Sequence, residues 1–477
     1  MRQPCAIAGL LFLASTALAQ DECSVSLRAT YPAAVTAEEY TSRLIVQNLT
    51  RPRGIIFDKN NNLLVIDRGV GIKHMAIASD DNRTCITFGE AHLIHPDTEL
   101  NHGIEFSPDG NTLYASTVES VYSWDYNPST ATLSNQKTLI TNMSNSDHVT
   151  RTLFLSRKHP DLLVVSRGSA GNIDMTSASL ENGISQIRAF NLSAIGRGQI
   201  YNYPADGFSL GWGLRNSVGI DEHPVTGGIW SVENSADSIF RLGLDIHNQN
   251  PGEELNYHGT LDSPPPQDPP PHYGYPHCYA LFSTDFPELG DLTTGSQFGL
   301  FPDNSSFTDE VCNRDFVAPR ITFPAHMAPL DIKFDREGRR AYVTFHGSWN
   351  RDDASGYKLA SIEWGEDGEP VASSDSQDAL RDVLANRETW TCPGGQCFRP
   401  AGLAWDRKGR LFMTSDHTGE LYVIRRNDWP VWDGEEDDGG DGPSGGGEDG
   451  GDENAAGRRE VGLLAVVMGL VTLLMVV

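Results

Sequence analysis

Six stretches of the chain share one pattern: an apolar run, a turn rich in Asp, Asn or Gly, then a second apolar run. They are "RGIIFDKNNNLLVID" (53–67), "HGIEFSPDGNTLYAST" (102–117), "RTLFLSRKHPDLLVVS" (151–166), "NSVGIDEHPVTGGIWSV" (216–232), "LDIKFDREGRRAYVTF" (330–345) and "AGLAWDRKGRLFMTSD" (401–416). Each predicts a β-hairpin. A third strand is expected after each, in "GIKHMAI", "SVYSWDY", "SQIRAFNL", "SIFRLGL", "YKLASIEW" and "GELYVIRR". Fourth strands carry a weaker pattern, as in "TCITFGE" and "KTLITN". The repeats start at intervals of roughly 50 to 115 residues, the long ones carrying insertions.

Four-stranded antiparallel units repeated along a chain hide their edges by closing radially. The expectation is an all-β fold, a six-bladed β-propeller of four-stranded antiparallel blades. The last blade has no fourth strand of its own after "GELYVIRR", and "SRLIVQNL" (42–49) can supply it. "SPPPQDPPPHYGYP" (263–276), with Cys278 and Cys312, reads as an insertion and not a separate domain.

In such a blade the first strand starts, and the second ends, on one face of the disc. That face collects Arg53, His102, Arg151, Arg215, Asn216 and Arg399 ahead of first strands. Arg68, Glu119, Arg167, "ENSAD" (233–237), "HGSWNR" (346–351), Asp416 and His417 follow second strands. A basic mouth in an otherwise acidic chain implies an anionic small molecule.

Acidity is pronounced: 36 basic against 64 acidic residues give a formal charge of −28. This argues against nucleic acid as a partner. Much of the acid lies in "DGEEDDGGDGPSGGGEDGGDE" (433–453), within a Gly-rich linker over 431–457 that cannot bury a core. Residues 1–19 have the basic start, apolar run and small-residue end of a secretory signal peptide. The hydrophobic terminus, 458–477, follows small residues and has the layout of a GPI-attachment signal, a transmembrane helix being the alternative. Residues 20–430 are left for the propeller. An extracellular, GPI-anchored protein at the cell surface is expected, touching the membrane only through its lipid.

Six cysteines remain once Cys5 leaves with the signal peptide: Cys23, Cys85, Cys278, Cys312, Cys392 and Cys397. Six allow 15 pairings. Neighbourhood in the chain favours Cys278 with Cys312 and Cys392 with Cys397, leaving Cys23 with Cys85; their spacing disfavours zinc. Sequons at Asn48, Asn82, Asn142, Asn191 and Asn304 fit an extracellular surface.

"DHVTR" (147–151), "LRNSVGIDEHP" (214–224), "VENSADSI" (232–239), "TFHGSWNR" with "GYKL" (344–359) and "FRPAGLAWD" (398–406) resemble the fungal PQQ-dependent pyranose dehydrogenases. These are relatives of bacterial soluble glucose and sorbosone dehydrogenases, and the resemblance covers about residues 40 to 430. It implies two cofactors, pyrroloquinoline quinone and calcium. It implies oxidation of the anomeric hydroxyl of a pyranose such as 2-keto-glucose or fucose to a lactone. Electrons would pass to an acceptor protein, such as a b-type cytochrome or a lytic polysaccharide monooxygenase.

By the same resemblance His148 occupies the general-base position, and Arg215 and Asn216 lie beside the quinone, Arg215 with a catalytic role. The backbone carbonyls of Ser235 and Ala236 bind calcium, and Arg399 takes a cofactor carboxylate. Register places His346, Arg68, His102 and Asp416 with the cofactor, and Arg167 and Trp349 at the substrate rim. Trp349 reads more readily as packing than as a sugar platform. One departure from the bacterial pattern is the missing cofactor lysine near "HGSWNR", because Lys358 lies too far along a strand. The cellulose-binding and cytochrome modules of some fungal members are not seen in this sequence.

Two other functions compete, a calcium-dependent propeller lactonase and a non-catalytic binding propeller. The lactonase class holds calcium by side-chain carboxylates and amides, whereas here the first-strand entrances are mostly Arg and His. An absorption band that appears with quinone and calcium, then bleaches with sugar, separates all three.

The reading of the terminus has a direct check. Phosphatidylinositol-specific phospholipase is expected to release the protein from intact cells, and retention after treatment indicates a spanning helix.

Overall fold

In three of the hairpins one aspartate turns the chain. Asp58 Oδ1 accepts the N–H groups of Asn60 (2.9 Å) and Asn62 (2.8 Å), with Asn61 in the left-handed region. Asp335 Oδ1 does the same for Arg339 and Arg340, and Asp406 Oδ1 for Lys408 and Arg410. A short carboxylate that bonds the backbone a few residues on is the reason Asp marks these turns.

The computed structural model describes residues 23–195, 198–262, 269–285, 289–301 and 306–430. The signal peptide with Cys5, the proline run at 263–268, the Asn304 sequon, the linker at 431–457 and the terminus at 458–477 lie outside the described residues. The strands form six antiparallel four-stranded blades. Blade one is Pro52–Phe57, Leu63–Asp67, Gly71–Met75 and His92–Pro96; blade two is Ile104–Phe106, Thr112–Ser116, Val121–Asn127 and Thr132–Thr141. Blade three is Leu153–Leu155, Leu162–Arg167, Gln186–Asn191 and Phe208–Trp212; blade four is Ser217–Glu222, Gly228–Glu233, Glu253–Thr260 and Ile321–Phe323. Blade five is Pro329–Phe334, Arg340–Phe345, Lys358–Glu363 and Arg381–Ala385. Blade six is Pro400–Trp405, Leu411–Ser415, Glu420–Arg426 and, from the start of the chain, Tyr40–Val46. That last pairing, Ser42 opposite Ile424 and Leu44 opposite Tyr422, closes the ring as expected.

Two strand assignments need correction. "TCITFGE" is not a fourth strand: Ile86–Phe88 pairs with Ile77–Asp80 in a separate hairpin tied down by the Cys23–Cys85 disulfide, and His92–Pro96 takes the outer place. "SIFRLGL" is not a third strand either. Phe240–Arg241 folds onto Leu244–Asp245, because Ser238, Leu242 and Gly243 all have positive φ and break the run. The true third strand starts at Glu253 and Glu254, two acids that give no β signal and are nevertheless buried.

Six apolar clusters lie between neighbouring blades. Between blades four and five, Trp230, Val232 and Leu255 meet Ile332, Val343 and Ile362; between blades six and one, Phe412 and Val423 meet Leu63 and Val65. Around the axis the inner strands approach backbone to backbone. A Cβ on Gly54 would sit 2.0 Å from His102 O, on Gly103 2.4 Å from Arg151 O, and on Gly402 2.3 Å from Arg53 O. Hydroxyls complete these joints: Ser116 Oγ donates to Arg151 O (2.6 Å), Thr344 Oγ1 to Ala401 O (2.8 Å) and Thr414 Oγ1 to Arg53 O (2.9 Å).

The three disulfides are Cys23–Cys85, Cys278–Cys312 and Cys392–Cys397. The insertion carries Cys278–Ala280 paired with Gln297–Gly299 and the helix Asp309–Asp315, and it belongs to the same compact unit as the blades.

Replacing Gly54 by Ala forces a methyl against the next blade's carbonyl. The expected outcome is destabilisation by about 1–3 kcal/mol, typical of overpacking, read as a lowered midpoint in thermal or denaturant unfolding.

Candidate functional site

The mouth of the channel is built from loops that lead into first strands and out of second strands. His148 lies in the loop before blade three, with φ 41°. Its Nδ1 is 3.1 Å from Ser169 O and 2.8 Å from Ser169 Oγ. A carbonyl only accepts, so Nδ1 carries the hydrogen and Nε2 keeps its lone pair. No partner engages Nε2 among the described residues. Burial, and then the charge of Arg215, push the imidazole down to about 4, so it is neutral at physiological pH.

His148 and Asn216 meet across Gly168, where an added Cβ would lie 2.8 Å from His148 Cβ and 2.7 Å from Asn216 Oδ1. Arg215 is buried and fixed on three sides. It donates to Asn172 O (2.9 Å), Asn172 Oδ1 (2.9 Å) and Asn234 O (3.1 Å), and pairs with Asp237 at 3.3 Å. Its backbone N–H is held by Glu233 Oε1. Asp237 is a hub: it also meets His326 Nδ1 at 3.2 Å and accepts Asn350 Nδ2 at 2.9 Å. Burial works to raise its pKa, but the His326 bond and the Arg215 charge outweigh that and hold it below the ordinary value.

A second hub is Asp416, which pairs with Arg53 (2.8 Å) and His346 Nε2 (2.7 Å). Burial again opposes its ionisation, and His346 and Arg53 overcome it, leaving the carboxylate ionised far below the usual range. Several polar atoms nearby lack partners. Arg53 Nε and His102 Nδ1 are buried with no hydrogen bond, and the Arg68 guanidinium meets no hydrogen-bond partner among the described residues. Burial and the like charges of Arg53 and Arg51 lower the pKa of Arg68. Arg53 and Arg68 thus share one nearby anion, Asp416.

The other arginines sort differently. Arg167, expected at the substrate rim, is buried and bonded to Asn145 Oδ1, Ser144 O and Gly183 O, so it supports the His148 loop from beneath. Arg151 does likewise through Met143 O and His148 O. Arg399 lies over the Tyr357 ring and donates to His346 O and Gly347 O, holding main chain in addition to facing the mouth. Trp349 is 71% exposed and so is not a packing residue. Lys358 pairs with Asp382 at 2.6 Å and takes no part in the mouth.

Sequence reasoning passed over Asn172, His326, Glu233 as a bond acceptor, and Glu253. His326, four residues ahead of Leu330, sits where an entrance residue of blade five belongs and was within reach of the same register argument. Glu253 Oε2 accepts Ser235 N–H (2.6 Å) and its Oε1 accepts Ala328 N–H (3.1 Å). The carbonyl oxygens of Ser235 and Ala236 receive no hydrogen-bond donor among the described residues. Farther along the axis is a cavity of about 480 Å³ lined by His102, Glu105, Asp221, Asp331 and Lys333. Its acids are clamps: Asp331 accepts Leu403 N–H (2.7 Å) and Asp221 accepts Phe334 N–H (2.8 Å) from the next blade's inner strand.

A six-bladed propeller whose mouth joins a neutral histidine, a fixed arginine, an arginine without a hydrogen-bond partner among the described residues and two unsatisfied buried nitrogens suits a polyanionic small molecule. The chain belongs to the TrAA12-like family, whose family model matches residues 34–427. It is 45% identical over 425 residues to a protein of Hypocrea jecorina named pyrroloquinoline quinone-dependent sugar dehydrogenase, covering 88% of this chain and 96% of that one. Among solved structures it is similar to the calcium structure of the Trichoderma reesei family AA12 protein, at 46% identity and TM-score 0.82, over 85% of this chain and 100% of the other. It is also similar to the holo form of the pyranose dehydrogenase PQQ domain of Coprinopsis cinerea, at 36% identity and TM-score 0.78, over 85% and 99% of the two chains.

His326 offers a pH test. Burial lowers its pKa, but the Asp237 bond, Glu253 and the bond to His247 O raise it by more, and the net shift is upward. A raised folded-state value means that the stabilising bonds are fully present below about pH 6.5, the unfolded value, and are lost as pH rises through the folded value. The thermal stability of wild type relative to His326→Gln is therefore expected to be greatest near pH 6 and to shrink at higher pH, read by parallel melting curves.

Proposed function

We propose that this protein is a PQQ- and calcium-dependent dehydrogenase that oxidises the anomeric hydroxyl of a pyranose to a lactone and passes electrons to an external acceptor such as a cytochrome. The observation that carries this reading is His148: a neutral imidazole with its Nε2 lone pair unengaged, flanking Gly168 together with Asn216 and neighbouring Arg215. The family relation and the names of its relatives support it.

The donor set fits the cofactors. Pyrroloquinoline quinone bears three carboxylates, and Arg68, Arg53 Nε, His102 Nδ1 and the outer edge of Arg399 would hold them. Calcium takes oxygen ligands, and the unbonded carbonyls of Ser235 and Ala236 are of that kind. When bound, the quinone supplies the two-electron acceptor for the sugar's hydride. His148 Nε2 accepts the proton of the anomeric hydroxyl, and Ser169 keeps Nδ1 protonated so that the right nitrogen is basic. Arg215, immobilised by Asn172 and Asp237, presents a fixed cation where negative charge grows, which favours the transition state over the ground state. Asn216 orients the cofactor, and exposed Trp349 stands at the rim where sugar enters.

The lactonase reading has less support. The inner-strand acids Glu105, Asp221 and Asp331 are bonded to neighbouring backbone N–H groups, and among the described residues no three His, Cys, Asp or Glu side chains converge as metal ligands. A secreted, GPI-anchored glycoprotein is part of the proposal. Asn48, Asn142 and Asn191 are exposed, while Asn82 is half-buried beside Lys408.

Quinone and calcium added to the protein are expected to give a visible band that sugar bleaches. His148→Ala should leave quinone binding intact and slow that bleaching about 10² to 10⁴-fold, the usual worth of a general base. Bleaching at an undiminished rate in His148→Ala removes His148 from the role.

A further inference from the structure

We infer that Glu253 is a positioning residue for the main-chain carbonyls of Ser235 and Ala236, and that its buried carboxylate sets the affinity of this loop for a hard divalent cation. The inference rests on the calcium reading above and concerns a residue outside the mouth.

Glu253 opens the third strand of blade four and is 3% exposed. One oxygen accepts the N–H of Ser235 in the loop leaving blade four's second strand, and the other accepts the N–H of Ala328 in the segment entering blade five. The carboxylate thus bridges two loops from behind. A trans peptide is rigid and its N–H and C=O point in opposite directions. The Asn234–Ser235 peptide is accordingly held at both ends, its N–H by Glu253 and its C=O by Arg215 Nη1. The Ala236–Asp237 peptide is held by its N–H, through Asn172 Oδ1 at 2.8 Å. The Ala236 carbonyl is part of this second plane and the Ser235 carbonyl belongs to the peptide between the two, and neither receives a donor among the described residues. Their direction follows from the anchors.

Charge points the same way. No side-chain donor reaches either Glu253 oxygen among the described residues: its hydrogen bonds come only from two neutral N–H groups, and the nearby His326 charge compensates it from a distance, without a hydrogen bond. A buried carboxylate with so little compensation favours a cation on the far side of the peptides it holds. Neutral carbonyls next to Arg215 would otherwise make a poor calcium site.

Glu254 is the internal control. It is equally buried, but its Oε2 accepts Asn256 Nδ2 at 3.0 Å and it bonds neither Ser235 nor Ala328. Calcium ion itself is the probe, titrated calorimetrically into the chelator-stripped full chain, with melting curves recorded alongside. In Glu253→Gln the amide can accept through one atom only and the charge is gone, so calcium is expected to bind at least about 10-fold more weakly than to wild type. Glu254→Gln should keep the wild-type affinity even if its melting temperature falls as far. Glu253→Asp, which keeps the charge but shortens the reach, should fall between wild type and Glu253→Gln, and it decides the matter if the latter does not fold. Wild-type affinity in the Glu253 variants, or an equal loss in Glu254→Gln, overturns the inference. Absence of calcium binding by wild type overturns the calcium reading and the inference with it.

Discussion

Backbone meets backbone around the axis, and everything at the mouth depends on that contact. Gly54, Gly103 and Gly402 leave no side chain where the next blade's carbonyl approaches, and Ser116, Thr344 and Thr414 donate hydroxyls into the same joints. The carbonyls so gripped include those of Arg53 and Arg151, and His102 O is packed against Gly54, so these residues are fixed from their own main chain outward. An inner strand is an edge with unpaired backbone groups. Here Asp221 and Asp331 satisfy two of them from the neighbouring blade. The residues that close the ring are therefore those that define how wide its centre is and where its functional side chains begin.

Within that frame, the arginines of the mouth divide by what they bond. Arg151 and Arg167 are occupied by carbonyls of residues 143–148 and 182–183, and work as fasteners. Arg215 and Arg53 are each paired to one carboxylate, Asp237 and Asp416, which keeps them charged and aimed. Arg68 has no hydrogen-bonded carboxylate among the described residues, and the like charges of Arg53 and Arg51 act on it more strongly than Asp416 does. A site for a polyanion needs the last two kinds, and the fasteners keep the loop between them from collapsing.

The ring and its closure were legible in the sequence because hairpins announce themselves locally, by alternation and by Asp-centred turns. The pairing of residues 40–46 with the final blade was legible too, since a blade lacking its fourth strand demands one. Blade four's third strand was not, because Glu253 and Glu254 look exposed in a sequence and are buried through bonds that a hydrophobic pattern does not reveal, Ser235 N–H for the first and the Asn256 amide for the second. The hairpin Phe240–Asp245 was misread for the converse reason: its apolar spacing mimics a strand that three positive φ angles forbid. Register gathered His148, Arg215, Asn216, Arg399 and Asp416 at one mouth. It could not show that Arg167 turns inward or that Lys358 pairs with Asp382, since a side chain's direction depends on acceptors that periodicity does not reveal.

Two histidines at this mouth differ in protonation, and one ion pair contributes to both. Arg215 and Asp237 sit 3.3 Å apart. His148 lies toward the cationic end; burial and Arg215 act together on it, and it is neutral. His326 lies against the anionic end, and Asp237 reverses what burial alone would do, so both its ring nitrogens donate, one to Asp237 and one to His247 O. The first imidazole can take up a proton, whereas the second already holds one and spends it on structure. The side chains that fasten the pair, Asn172 on Arg215 and Asn350 on Asp237, hold that polarity in place, so a base and a structural cation stand at the same mouth without exchanging protonation states.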